Sequence, residues 1–121
     1  MRKTLAEFAE HWRVSALTES QGKQSHFIEL CDILGEPRPA DNDRNSERYC
    51  FEKHVSKTLG GTGFADVWLR DHFGWEYKGP HKDLVAAYRQ LNNYREDLFN
   101  PPLLVVSDFD RFEVHTNFHP V

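Results

Sequence analysis

Two acids and a lysine, Asp66, Glu76 and Lys78, are the strongest candidates in this sequence for metal binding and catalysis. They lie in the segment 63–78, where two short apolar and aromatic runs flank a polar Asp-His pair, a pattern typical of a β-hairpin. With the turn centred near Asp71, Asp66 and Glu76 face each other across the two strands, with Cβ atoms about 4.5–5.5 Å apart. Two carboxylates at that separation repel each other unless a cation lies between them, and a divalent metal ion is the natural candidate.

Lys78 would extend the same polar patch. Because strand side chains alternate between faces, Glu76 and Lys78 project from one side of the strand and Tyr77 from the other. Magnesium prefers oxygen ligands, is held by one or two carboxylates and keeps waters that can act as nucleophiles. The carboxylates favour the charged form of Lys78, so we predict that it orients water and stabilises a transition-state phosphate instead of acting as the base. The alternative is a surface hairpin whose charged side chains simply face solvent.

The spacing Asp-x9-Glu-x-Lys, preceded by Gly63 in a Gly-x-x-Asp sequence, resembles the active-site signature of the PD-(D/E)XK nuclease superfamily. This resemblance implies that Asp66 and Glu76 are catalytic residues that bind Mg²⁺, with Mn²⁺ as a substitute. It also implies that the backbone carbonyl of Tyr77 completes the metal shell and that the catalytic Lys78 faces the attacking water.

A helix is predicted after the hairpin, from about Lys82 to Phe99, because apolar residues recur there at helical spacing. The buried stripe of this helix consists of Leu84, Ala87, Tyr88, Leu91 and Leu98. Gln90 and Tyr94 lie one helical turn apart on the flank of the stripe. Their spacing, Gln-x3-Tyr after Glu-x-Lys, resembles the third motif of the RecB-like branch of the superfamily, which implies that the helix lines the catalytic groove.

Two capping boxes predict helices before the hairpin. One box opens at Thr4, and its helix runs to about Arg13. The other opens at Thr18, and its helix reaches about Leu34, where Gly35 stops it.

The second of these helices could contribute a polar group to the site. Its apolar stripe consists of Phe27, Leu30, Cys31 and Leu34. On a helical wheel Glu19 and Gln24 flank this stripe, while Glu29 points the opposite way. If the helix supports the site, Glu19 or Gln24 is therefore the better candidate. The alternative is an acid favoured by the helix dipole and a solvated amide.

The remaining segments are interpreted as loop and strand. The segment 37–47 is a polar loop, and the aromatic residues of 49–55 favour a strand over a helix. The continuously apolar run 103–106 predicts a strand covered on both faces, and 111–115 predicts a further strand. We therefore predict an α/β (α+β) domain spanning 1–121, with a PD-(D/E)XK core in which helices flank a central mixed β-sheet.

Other side chains offer less for metal binding. A second candidate set consists of Asp108, Asp110, His115 and His119. Turn acids and exposed histidines are the simpler interpretation of that set. Cys31 and Cys50 do not resemble a Cys/His zinc site, and we expect reduced thiols in a cytoplasmic protein, with pairing between them as the alternative.

The charge of the chain limits what it can bind alone. The 121 residues carry a formal net charge of −4, whereas a protein that binds DNA by itself usually presents a basic surface. No apolar run is long enough to cross a bilayer, and no apolar stretch follows the charged start as in a signal peptide. If the chain acts on DNA, we expect other domains to supply most of the affinity.

Taken together, the motifs resemble the N-terminal nuclease domain of MmeI-like restriction-modification enzymes, which are type IIL enzymes within type IIG. Further similar segments are 20–23, 27–29, 51–52, 82–88 and 105–112. The resemblance implies a fragment of a longer polypeptide, in which a helical connector, an S-adenosylmethionine-dependent methyltransferase and a target-recognition domain follow. It implies a Mg²⁺-dependent endonuclease acting on double-stranded DNA. The alternative is a catalytically inactive module of the same fold that positions DNA or has a structural role.

Overall fold

The computed structural model describes residues 4–13, 19–39, 48–56, 61–79 and 83–116. Within them the helices are α1 (Leu5–Arg13), α2 (Glu19–Leu34) and α3 (Leu84–Asn92), and the strands are β1 (Tyr49–Ser56), β2 (Thr62–Leu69), β3 (Phe73–Tyr77), β4 (Leu103–Ser107) and β5 (Phe112–Thr116). The strands form one sheet in the order β1-β2-β3-β4-β5. Neighbours are antiparallel except β3 and β4, which are parallel and are connected through α3. The predicted central mixed sheet with flanking helices is confirmed.

Two hydrophobic clusters pack on the sheet. One joins α3 to the strands and includes Ala65, Trp68, Leu91, Leu98, Leu104 and Val106. The other joins α1 and α2 to the strands and includes Phe8, Trp12, Phe27, Val67, Trp75, Tyr77 and Val105. Alternate residues of β4 thus pack in different clusters, which confirms the prediction that this strand is covered on both faces.

The ends of the first two helices follow from local sequence. Thr4 Oγ1 accepts the backbone N–H of Glu7 at 3.1 Å, and the Glu7 carboxylate accepts the backbone N–H of Thr4 at 3.1 Å. This reciprocal capping box confirms the predicted start of α1. At the end of α2, Gly35 adopts φ 71°, a left-handed conformation that glycine tolerates, as predicted. The predicted cap at Thr18 lies outside the described residues.

Two details of the predicted helices are wrong. The α-helix α3 ends at Asn92 and not near Phe99. The backbone N–H of Asn93 is shared between the carbonyls of Arg89 and Gln90, and that of Tyr94 bonds three residues back to Leu91, which tightens the chain into turns. Asparagine has low helix propensity, which favours this early end. Leu34, the last member of the predicted apolar stripe and the last residue of α2, is 58% exposed, so the stripe does not bury its end.

Cys31 and Cys50 are both buried, and both are free thiols, as expected. None of the helices formed by the described residues combines the length and hydrophobicity required to span a membrane.

Candidate metal centre and active site

The β2–β3 hairpin brings Asp66 and Glu76 to adjacent positions. The register of the two strands pairs Val67 with Trp75, and the next residues outward on the two strands are Asp66 and Glu76. The backbone N–H of Tyr77 donates a 2.8 Å hydrogen bond to Asp66 Oδ2, which fixes that carboxylate against β3. The predicted facing arrangement of the two acids is therefore present.

Glu76 is a buried acid next to another acid. It is 5% exposed, and its Oε1 atom is buried with no hydrogen-bond partner. Burial, together with the charge of Asp66, raises the pKa of Glu76 to about 9, although the charge of Lys78 opposes this shift. At neutral pH and without a cation, Glu76 therefore keeps its proton. Two oxygen donors, one with an unused buried oxygen, suit a hard divalent cation such as Mg²⁺.

Lys78 is near enough to Glu76 for its charge to act on that acid, and it is held by Gln90 in the last turn of α3. Its Nζ donates to Gln90 Oε1 at 3.0 Å, and Gln90 Nε2 donates to the hydroxyl of Tyr94 at 3.1 Å. Glu76 lies on the same side of β3 as Lys78, since Tyr77 packs with the α2-side cluster. The Glu-x-Lys and Gln-x3-Tyr sequences therefore meet in space, although Tyr94 lies in the turns beyond α3.

Gly63 completes this arrangement because Tyr94 leaves no room for a side chain there. A Cβ atom built on Gly63 would lie 2.5 Å from the Tyr94 hydroxyl and 3.0 Å from its Cζ. The first position of the Gly-x-x-Asp sequence thus packs directly against the last residue of Gln-x3-Tyr.

Replacing Gly63 with alanine should therefore lower the free energy of unfolding by about 1–3 kcal/mol, the usual cost of overpacking a tight contact. Urea denaturation followed by circular dichroism measures this change. Adding Tyr94→Phe, which removes the closest atom, should recover part of the loss. Equal stability of the Gly63→Ala and unmodified proteins would show that this contact is not tight.

Lys23 is a site residue that the sequence analysis missed. Its Nζ lies 2.8 Å from Asp66 Oδ1 and 3.3 Å from Glu52 Oε1. Burial lowers the pKa of Lys23, but hydrogen bonds and charge from Asp66 and Glu52 outweigh burial and raise it overall. Lys23 lies one turn before Phe27, a member of the apolar stripe, and this spacing was the available signal.

The two residues of α2 that were predicted to support the site fare differently. Gln24 is exposed, so the structure does not bring it into the group formed by Lys23 and Asp66. Glu19 begins α2, but its side chain lies outside the described residues. Glu29, expected to point away from the apolar stripe, is partly buried and accepts a 3.1 Å hydrogen bond from Trp12 Nε1.

Glu52 has an unusual backbone opposite Asp66. It lies between Phe51 and Lys53, which pair with Val67 and Ala65, and its φ is 56°. Left-handed backbone is uncommon for a residue with a side chain. The strand alternation also breaks here, since Cys50 and Val55 pack in the same cluster. The side chains of β1 therefore change faces at Glu52, and the Glu52 carboxylate contacts Lys23.

The second candidate metal set has structural roles where it can be described. Asp108 accepts the backbone N–H groups of Asp110 and Arg111 and the guanidinium of Arg111. Burial would raise the pKa of Asp108, but these hydrogen bonds outweigh it and lower the pKa. His115 stacks on Tyr88 with ring centroids 3.8 Å apart. His119 lies outside the described residues.

A metal at this centre would have few protein ligands. Across the described ranges, no group of three or more His, Cys, Asp or Glu side chains is arranged to hold a metal ion. Two carboxylates and a backbone carbonyl are nevertheless enough for Mg²⁺, which usually keeps several waters. The donor set formed by Asp66 and Glu76 is therefore compatible with magnesium and unlike a zinc site.

Comparison with known proteins identifies a family. The sequence model of a protein family described as MmeI, N-terminal domain, matches residues 3–119. No curated protein and no solved structure matches the chain. The family match covers nearly the whole chain, including every residue of the centre described above.

Proposed function

The chain belongs to the family of the MmeI N-terminal domain, and from this membership we propose that it is a Mg²⁺-dependent DNA endonuclease domain with a PD-(D/E)XK active site. The family associates the chain with restriction-modification enzymes. Hydrolysis of DNA phosphodiester bonds and the requirement for a metal are our proposal.

One observation supports this proposal most strongly: a buried acid with an unused oxygen lies against a second acid. Glu76 Oε1 is buried without a partner, and the neighbouring Asp66 raises the pKa of Glu76 further. A purely structural sheet gains nothing from two facing acids, since like charges directly opposite each other destabilise a sheet. We assign Asp66 and Glu76 as the metal ligands, with the carbonyl of Tyr77 as a third.

The chain's own residues would prepare the reaction. When bound here, Mg²⁺ would stabilise negative charge on the phosphate and lower the pKa of a coordinated water. Lys78 would donate hydrogen bonds to the attacking water and to the developing charge on the phosphate. Gln90, held in turn by Tyr94, accepts from the Lys78 ammonium and limits its rotation. This support fixes the position of the ammonium before substrate arrives.

The partners of this domain follow from its charge and its family. Double-stranded DNA would bind weakly to a chain with net charge −4, so methyltransferase and target-recognition parts would supply most of the affinity. S-adenosylmethionine would serve only those other parts. A cytoplasmic location suits the free, buried thiols of Cys31 and Cys50.

A plasmid-nicking assay tests this function. Supercoiled DNA incubated with the chain at millimolar Mn²⁺ or Mg²⁺ should be converted to open-circular and linear forms, and a chelator should stop the conversion. The Asp66→Ala protein, prepared in parallel, controls for contaminating nucleases. Cutting that persists in Asp66→Ala would refute the assignment. Metal binding without any cutting would favour the inactive-module alternative.

A further inference from the structure

We propose that Lys23 is a built-in cation that competes with the divalent metal for Asp66, and that Glu52 is the acceptor that holds Lys23 when metal binds. This inference rests on the proposed metal site and adds a control of metal affinity to it. It assigns functions to two residues that the Asp-x9-Glu-x-Lys pattern does not include.

Lys23 occupies the Asp66 oxygen that a metal would use. Asp66 Oδ2 accepts the backbone N–H of Tyr77 at 2.8 Å, so this oxygen is committed to the hairpin. Asp66 Oδ1 is held by Lys23 Nζ, also at 2.8 Å. An ammonium group therefore lies on the Asp66 oxygen that is not used by the backbone. A divalent cation that shares this oxygen meets a positive charge within direct contact distance.

Glu52 lies where it can accept the Lys23 ammonium when Asp66 releases it. Lys23 Nζ lies 3.3 Å from Glu52 Oε1, longer than its contact with Asp66. The Glu52 side chain is 46% exposed, whereas that of Asp66 is 9% exposed. Lysine has a flexible stem with rotatable donors, so a small movement suffices to transfer the ammonium fully to Glu52. Lys23 would then remain paired while Asp66 Oδ1 accepts the metal.

The backbone of β1 supports a dedicated role for Glu52. Its φ of 56° is unfavourable for a residue with a side chain, and β1 does not pair with β2 at this residue. The unpaired, left-handed residue lies opposite Asp66, the ligand for which Lys23 competes. At this irregular point of β1 the Glu52 backbone has no partner in β2, and the Glu52 carboxylate contacts Lys23.

Calorimetric titration of Mn²⁺ and Mg²⁺ into single and double variants tests the competition. Lys23→Met should bind both ions about tenfold more tightly, since a like charge in contact with the site is removed. Glu52→Gln should lower the affinity for both ions by at least about threefold, since Lys23 then has only Asp66 as a partner. In the Lys23→Met background, adding Glu52→Gln should change the affinity by less than about twofold.

The controls separate this competition from nonspecific charge effects. Lys53→Met removes a lysine next to Glu52 whose Nζ instead lies over the Trp68 ring, and it should leave metal affinity within about twofold. If Lys23→Met does not fold, as judged by circular dichroism, Lys23→Gln replaces it. Glu52→Gln decides independently, because a Glu52 side chain that is half exposed should tolerate the change.

Two results would overturn the inference while leaving the proposed function intact. One is metal affinity that is unchanged or weaker in Lys23→Met, which would make Lys23 a structural ion pair only. The other is the same loss from Glu52→Gln with and without Lys23, which would make Glu52 act on the metal directly. Absence of metal binding in the unmodified chain and in Lys23→Met would instead overturn the proposed metal site itself.

Discussion

Replacing Lys78 with alanine is expected to lower the rate of DNA cleavage by about 10²–10³-fold while leaving metal binding intact. The Lys78 ammonium acts electrostatically on Glu76 and is held by Gln90, so it can serve the transition state without being a metal ligand. Losing a donor that acts mainly on developing charge lowers the rate of the chemical step more than it lowers binding.

Single-turnover nicking with saturating metal measures this effect, and calorimetry measures the metal affinity of the same protein. Lys53→Ala is the matched control, because it removes a lysine of β1 whose ammonium lies over the Trp68 ring. Cleavage by Lys78→Ala within about threefold of the unmodified rate would contradict the assigned role of Lys78.

Replacing Glu76 with glutamine is expected to stabilise the metal-free protein, by about 2–4 kcal/mol near pH 8. The pKa of Glu76 rises from 4.5 to about 9, first through burial and then through the charge of Asp66. Between these two values the unfolded chain releases a proton that the folded chain retains, so stability falls as pH rises through that window. Below the lower value both states are protonated and the cost disappears. Glutamine has no proton to release and avoids the cost at every pH.

Urea denaturation in the presence of a chelator, near pH 4 and near pH 8, measures this difference. The advantage of Glu76→Gln should be small at the lower pH and large at the higher one. Exposed Glu96 provides the control, since Glu96→Gln should leave stability within about 0.5 kcal/mol at both values. An equal advantage of Glu76→Gln at both pH values would show that the Glu76 carboxyl is not perturbed in this way.

The hairpin and the capping box of α1 could be predicted because they depend on neighbouring residues. A polar turn between aromatic runs sets the register of β2 and β3, and that register alone brings Asp66 to Glu76. The contact of Gln90 with Tyr94 is likewise local, since the two residues are four positions apart, although Tyr94 lies in the turns beyond α3 and not in the predicted helix. The assignment of Asp66, Glu76 and Lys78 as catalytic residues remains a prediction.

Lys23 and Glu52 could not be predicted in the same way, because their meeting depends on how α2 packs across the sheet. The left-handed backbone at position 52 could not be predicted, because the residue there is glutamate and not glycine or asparagine, the usual residues in that conformation. The burial of His26 and its contact with Tyr77 could not be predicted for the same reason. This fully buried residue, next to aromatic rings, contacts the Tyr77 hydroxyl through Nδ1 at 2.7 Å. Tertiary contacts, and not the local sequence, determine where the side chains of these residues lie.

Titration of Mg²⁺ into the unmodified chain, Asp66→Asn and Glu76→Gln by calorimetry is the most direct test of a metal centre at these acids. We predict saturable binding at millimolar or lower metal to the unmodified protein, with proton release that reports ionisation of Glu76. Both variants should lose this binding while remaining folded. Equal binding in the three proteins, or no binding in either the unmodified chain or Lys23→Met, would contradict a metal centre formed by Asp66 and Glu76.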